Sequence, residues 1–200
     1  MTTLLFDCET NGLLDKLDRV HSLVIKDADT GQVKSACHPF PGSADTHYCD
    51  VDALLMWMQE ADELVGHNII RFDIPALQKV YPWFTPKARL LDTLIYARLL
   101  WPDIGDSDVS RMRKGRLPGK LIGLHKLEAW GYRLGKMKGD YSEIKKARLR
   151  EQHPDLSKDE LNDMVWAEWD PEMQEYCEQD VDVTEALWRR CQAKLEAMHA

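Results

Sequence analysis

The sequence predicts a mixed α/β domain, rich in strands over its first third and mostly helical beyond. Three observations carry that expectation. β-favouring apolar runs recur between residues 3 and 38, helix-period apolar spacing begins at residue 51, and short strand-like runs at 63–66 and 90–91 lie between helical stretches. A length of 200 residues suits one domain with a real core, so 1–200 is taken as one unit. With 44% hydrophobic and 30% charged residues the chain is neither disordered nor fibrous. The longest apolar stretch, 94–101, is broken by Arg98 and far too short for a bilayer. The first residues show no basic region leading into an apolar run, so neither a membrane partner nor a secretory signal is expected.

Residues 3–7 form the first strand, stopped by the turn pair Asn11-Gly12. Residues 20–26 and 32–38 flank a polar Asp-Ala-Asp-Thr-Gly segment and read as a hairpin. Val51, Leu54, Leu55 and Met58 share one face of a helix over 51–61. A strand at 63–66 precedes a helix over 72–81 that Pro82 closes. After the strand at 90–91, Thr93 caps a helix running to about Leu100. Residues 102–122, punctuated by Pro and Gly, read as an irregular loop. Ser157 and Glu160 have capping-box spacing before a helix reaching about Trp169. Asp170-Pro171 then opens the last helical region, with Pro at the favoured first position.

Cys8, Cys37, Cys49, Cys177 and Cys191 are odd in number and lack C-x-x-C spacing, so reduced, scattered thiols are expected. The formal charge of −8 argues against a polyanionic partner, but its distribution does not. Residues 111–150 hold thirteen Lys and Arg against three acidic residues, a net +10, while the remainder carries −18. Such a segment suits contact with a phosphate backbone; a solvated helical face is the alternative. The seven tryptophans offer stacking surfaces but are mostly explained by packing.

Three carboxylate motifs stand out. Asp7 and Glu9, two apart on a strand, share a face, and adjacent carboxylates repel unless a cation lies between them. Asn68, Phe72 and Asp73 follow the strand at 63–66, where Asp73 would serve equally well as a helix N-cap. Tyr176 and Asp180, four apart, share a helix face. Each is weak alone. The order D-x-E, N-x-x-x-F-D, Y-x-x-x-D resembles the tyrosine subgroup of the DEDD superfamily of 3′→5′ exonucleases. It is most similar to the proofreading exonuclease domain of family-A DNA polymerases of short-tailed bacteriophages. Residues 6–13, Phe-Asp-Cys-Glu-Thr-Asn-Gly-Leu, look like that family's first motif. Residues 115–120 and 125–135 resemble an insert in the same polymerases, here a basic insert over about 102–150.

The resemblance implies a ribonuclease-H-like (DnaQ-like) fold, a mixed five-stranded sheet flanked by helices. It implies hydrolysis of single-stranded or frayed DNA 3′ ends to nucleoside 5′-monophosphates, in proofreading or DNA degradation. Two divalent cations, Mg²⁺ with Mn²⁺ able to substitute, would be held by Asp7, Glu9, Asp73 and Asp180, with Asp7 bridging both. Tyr176 would orient the attacking water, since a phenol of ordinary pKa near 10 is a poor unaided base. Thr10, Leu13, Asn68 and Phe72 match positions near the terminal nucleotides; Leu13 would wedge between bases, and Phe72 would stack or fill the core. Lys120, Lys126 and Arg133 are the candidate phosphate contacts. His67 is assigned a structural role, and Asp182 competes with Asp180 as a ligand but lacks the spacing to Tyr176. Polymerase activity is not expected from 200 residues. The implied setting is the cytosol of a bacterium or phage-infected host, with a separately encoded polymerase as a further partner. The alternatives are a ribonuclease-D-like exoribonuclease and a catalytically silent nucleic-acid-binding module.

Overall fold

The computed structural model describes residues 1–38, 48–136 and 141–199. Lys138 of the basic segment lies outside the described residues. The strands are β1 (Thr3–Thr10), β2 (Val20–Asp27), β3 (Val33–Cys37), β4 (Tyr48–Cys49), β5 (Glu63–Gly66) and β6 (Arg89–Asp92). They form one sheet in the order β4-β3-β2-β1-β5-β6. The neighbours β1–β2 and β2–β3 are antiparallel, while β1–β5, β5–β6 and β3–β4 are parallel. The five expected strands are therefore present in a mixed sheet, with a two-residue sixth, β4, added at the β3 edge. β1 runs three residues beyond the expected stop, so Asp7 and Glu9 lie inside the strand.

The helices are α1 (Val51–Gln59), α2 (Asp73–Val80), α3 (Thr93–Leu100), α4 (Ile104–Arg113), α5 (Leu127–Leu134), α6 (Tyr141–Gln152), α7 (Lys158–Trp166) and α8 (Pro171–His199). They cover both sheet faces because side chains alternate along β1. Leu4, Phe6 and Cys8 pack with Leu54, Leu55 and Met58 of α1 and Ile74 and Leu77 of α2. Leu5, on the other face, joins Val24 and Val65 beneath Ala97 of α3, Trp130 of α5, and Cys177, Val181 and Leu187 of α8. Buried positions along α8, from Met173 through Cys177, Asp180, Thr184 and Leu187 to Cys191, recur every three to four residues. Among the described residues, no helix is long and apolar enough to cross a membrane.

Three local expectations are corrected. The cap of α3 is Asp92, whose side chain accepts the Leu94 amide; Thr93 is the first helical residue. The capping box of Ser157 and Glu160 is present, but α7 stops at Trp166, before the expected Trp169. Nearly half of the supposed irregular loop is helix α4, followed by a short 3-10 turn at Gly119–Leu121. Gly105, Ser107 and Ser110 give α4 little local preference for helix. What holds it is tertiary: Asp108, fully buried on α4, accepts from Arg133 Nε at 3.0 Å and Nη2 at 2.6 Å, and from the Gly123 amide at 3.0 Å.

Gly66 ends β5 where the chain turns tightly against β1. A Cβ there would lie 2.2 Å from Ile69 Cγ2 and 2.9 Å from the Phe6 carbonyl oxygen. One of those neighbours is rigid strand backbone, so it cannot move aside cheaply. Gly66→Ala is expected to lower the unfolding free energy by about 1–3 kcal/mol in denaturant titration.

Candidate active site

Strand β1 aims Asp7 and Glu9 toward the α8 face of the sheet. Its pairing with β2 shifts between Glu9, opposite Ser22, and Thr10, opposite Val20, a bulge that bends the strand end at the site. From α8, one helical turn brings Tyr176 and Asp180 to the same place, and the Cys177 thiol between them donates to the Asp7 carbonyl at 3.4 Å. Asp7, Glu9 and Asp180 each offer a carboxylate oxygen, and these oxygens lie within 4.8 Å of one another. Asp7 and Asp180 are only 8% and 5% exposed.

Two unit charges 4.8 Å apart repel by roughly 3 kcal/mol at an effective dielectric near 20. Three such pairs approach roughly 10 kcal/mol, comparable to the whole stability of a typical domain. A cluster of this kind is sustained by protons or by cations.

Asp73 arrives from the other side of the sheet. It is the first residue of α2, with Phe72 in the cap position, so it does not serve as the N-cap. Asp73 is 4% exposed, and its Oδ1 accepts from the Cys8 thiol at 3.3 Å. Burial first, and the Asp92 carboxylate second, push its pKa up to about 7, against the thiol and amide hydrogen bonds that lower it. Burial among these carboxylates also pushes the Cys8 and Cys177 thiols well up, which leaves both inert as nucleophiles. The turn leading into α2 is pinned by Asp92. Its Oδ1 accepts the Asn68 amide at 2.9 Å and its Oδ2 the Ile70 amide at 3.2 Å. Asn68 itself adopts φ 70°, a left-handed conformation that asparagine tolerates better than most residues. His67 Nδ1 meets the Thr93 hydroxyl at 2.9 Å.

One cleft of about 590 Å³ is lined by Asp7, Glu9, Asp73, Tyr176 and Asp180, together with His67, Asn68 and Phe72. Arg98, His125 and Lys126 also line it. A second groove of about 800 Å³ shares Glu9, Phe72 and Trp166 with the cleft and contains Thr10 and Leu13. Leu13 is 70% exposed there, whereas Thr10 is buried and donates to the Gly12 carbonyl at 2.8 Å. Asp182 points elsewhere, binding Lys26 at 2.8 Å.

Among the basic candidates, only Lys126 lines the cleft. Lys120 lies 3.5 Å from Glu128 on the surface. Arg133 requires a correction: its side chain is 2% exposed and committed to Asp108, so its charge holds α4 to α5 and does not face a strand. Sequence reasoning missed Asp92, Arg98, His125 and Trp166. Of these, only Asp92 gave a local signal, as a carboxylate at a strand-to-helix boundary.

No protein-family model matches the sequence. The chain is 37% identical over 190 residues to the DNA-directed DNA polymerase of Enterobacteria phage T3, covering 92% of this chain and 26% of that protein. It is also 37% identical over 187 residues to the DNA-directed DNA polymerase of Escherichia phage T7, covering 90% of this chain and 25% of that protein. Over that shared stretch the chain is similar to these phage polymerases. It spans about a quarter of their length. A solved structure, the apo form of a nuclease, superposes with a TM-score of 0.53 at 20% identity, covering 98% of this chain and 74% of that one. That likeness shows the fold, and the ribonuclease-H-like architecture inferred from the motifs is borne out.

The donor set suits hard divalent cations, because every candidate ligand in the cluster is a carboxylate oxygen. In metal-free protein, Asp73 keeps its proton up to about pH 7, while the unfolded chain loses it near pH 4. Its contribution to stability is therefore full below about pH 4 and lost as pH rises through about 7. The thermal midpoint of metal-free protein is expected to fall more steeply between about pH 4 and pH 7 in the wild type than in Asp73→Asn. Arg133→Met leaves the Asp108 carboxylate buried without its bidentate partner, and a loss of about 3 kcal/mol is expected in denaturant unfolding.

Proposed function

We propose that the protein is a metal-dependent 3′→5′ exonuclease acting on single-stranded or frayed DNA ends. The observation that carries this reading is the meeting of Asp7, Glu9 and Asp180 within 4.8 Å, in a cleft that Asp73 and Tyr176 also line. Kinship with DNA-directed DNA polymerases supports DNA as the substrate and proofreading or DNA degradation as the role.

Asp7, Glu9 and Asp180 would hold the cations, with Asp73 completing the set from the α2 side. Bound there, divalent cations supply charge neutralisation for the scissile phosphate and an acidified water. The chain's own residues then position the strand. Leu13, exposed beside Glu9 in the second groove, suits a wedge between the last bases. Phe72, shared by both cavities, offers a stacking face, and Asn68 flanks it. The Tyr176 hydroxyl orients the water attacking the phosphate, and Lys126 neutralises a strand phosphate in the cleft. Acidity of the body as a whole is compatible with this, because cations in the carboxylate cluster offset the charge that a polyanion meets first.

Digestion of labelled single-stranded oligonucleotides tests the reading. With Mg²⁺ or Mn²⁺, stepwise release of nucleoside 5′-monophosphates from the 3′ end is expected, abolished by EDTA and by Asp7→Ala. Tyr176→Phe is expected to slow the reaction roughly 10²-fold. DNA left intact with both metals refutes the nuclease. Equal rates on RNA would refute DNA specificity, since carboxylates do not read the 2′-hydroxyl.

A further inference from the structure

Helix α6 belongs to the basic segment, yet its first residue, Tyr141, is buried directly behind the cleft. The Tyr141 ring centroid lies 5.7 Å from that of Tyr176 and 5.6 Å from that of Trp166, and both of those rings line the cleft. Both separations fall in the range of attractive aromatic pairs. Tyr141 is itself tethered. Its hydroxyl donates to Asp170 Oδ2 at 2.8 Å and accepts from Lys145 Nζ at 2.6 Å. Lys145 also donates to Asp170 Oδ2 at 2.6 Å, and its ammonium lies 5.1 Å from the Tyr141 ring centroid. Asp170 is fixed in turn, because its Oδ1 accepts the Met173 amide at 2.8 Å in the first turn of α8. Tyr176 sits on α8 one turn further on.

We propose that Tyr141 is a positioning residue: its ring, locked by Lys145 and Asp170, holds the Tyr176 side chain in the orientation that cleavage requires. The inference rests on the exonuclease reading and deepens it. Tyr176 is half-buried at the edge of an open cleft, so the ring behind it restricts its rotamers. A displacement of about 1 Å in such a group can cost up to about 10²-fold in rate. On this account part of the basic segment serves turnover, through Tyr141 and Lys145, and does not guide the strand.

Single-turnover rates on 3′-labelled DNA, with strand affinity measured separately in Ca²⁺, test it. Tyr141→Leu is expected to slow cleavage about tenfold or more with affinity within about twofold. Tyr141→Phe, which keeps the ring but loses the hydroxyl tethers to Lys145 and Asp170, should fall between the wild type and Tyr141→Leu. In a Tyr176→Phe background, Tyr141→Leu should cost nothing further, because there is no hydroxyl left to orient. Losses that multiply in the double variant, a loss confined to affinity, or Tyr141→Phe as slow as Tyr141→Leu would each overturn the role. If Tyr141→Leu fails to fold by circular dichroism, Tyr141→Phe decides alone: slower cleavage at unchanged affinity, with nothing further lost in the Tyr176→Phe background, supports the role, and a rate equal to the wild type overturns it. A wild type that leaves DNA intact refutes the exonuclease reading itself, whereas an active wild type with multiplicative losses refutes only the positioning role.

Discussion

Mutual repulsion among clustered carboxylates is the constraint around which this molecule is built. As carboxylates, Asp7, Glu9 and Asp180 repel one another wherever they are charged together. They stay together because each is fastened to an apolar element. β1 is the central strand, packed on both faces, and α8 lies along it with a buried stripe from Met173 to Cys191. Cys177, near the start of that stripe, touches the Asp7 backbone across 170 positions of sequence. The hydrophobic contacts thus supply the free energy that the charges oppose, and they leave a site whose electrostatic deficit a cation can fill.

The fourth carboxylate is held differently. Asp73 enters from the α2 layer and is met by a thiol, with a second carboxylate, Asp92, nearby on β6. Cys8 alternates with Asp7 and Glu9 along β1 and so faces the opposite layer. One strand therefore presents two carboxylates to one side and an anchor for Asp73 to the other. Asp92 fixes the intervening turn by accepting two of its amides, which relates the Asn68–Asp73 stretch to the end of the sheet.

The positive segment is less a surface for phosphates than its net charge suggests. Arg133 and Arg111 converge on Asp108, Lys145 on Asp170, and Arg148 on Glu172. Several of its cations are thus staples, one attaching α4 to α5 and two attaching α6 to the start of α8. Buried, bidentate pairs of the Arg133–Asp108 kind are costly to break because the partner is left charged in a low dielectric. Lys126 remains on the cleft wall, beside Arg98 from α3.

What was legible in the sequence follows from local physics. Alternation along residues 3–9 put Asp7 and Glu9 on one face, four-residue spacing put Tyr176 with Asp180, and the Ser157–Glu160 box marked a helix start, since each depends only on backbone geometry. The order of the three motifs pointed to the family before any contact was known. The sequence could not reveal α4, because its helix depends on a carboxylate buried by a guanidinium 25 positions later. Nor could it separate Arg133 from Lys126, two cations of one basic stretch, one sealed against Asp108 and the other facing the cleft. By itself the sequence determined which side chains can act, because spacing within a strand or helix sets which of them share a face. Only the tertiary structure decided which are present at the site and which are committed elsewhere, because burial and ion pairing join residues that have no local relation.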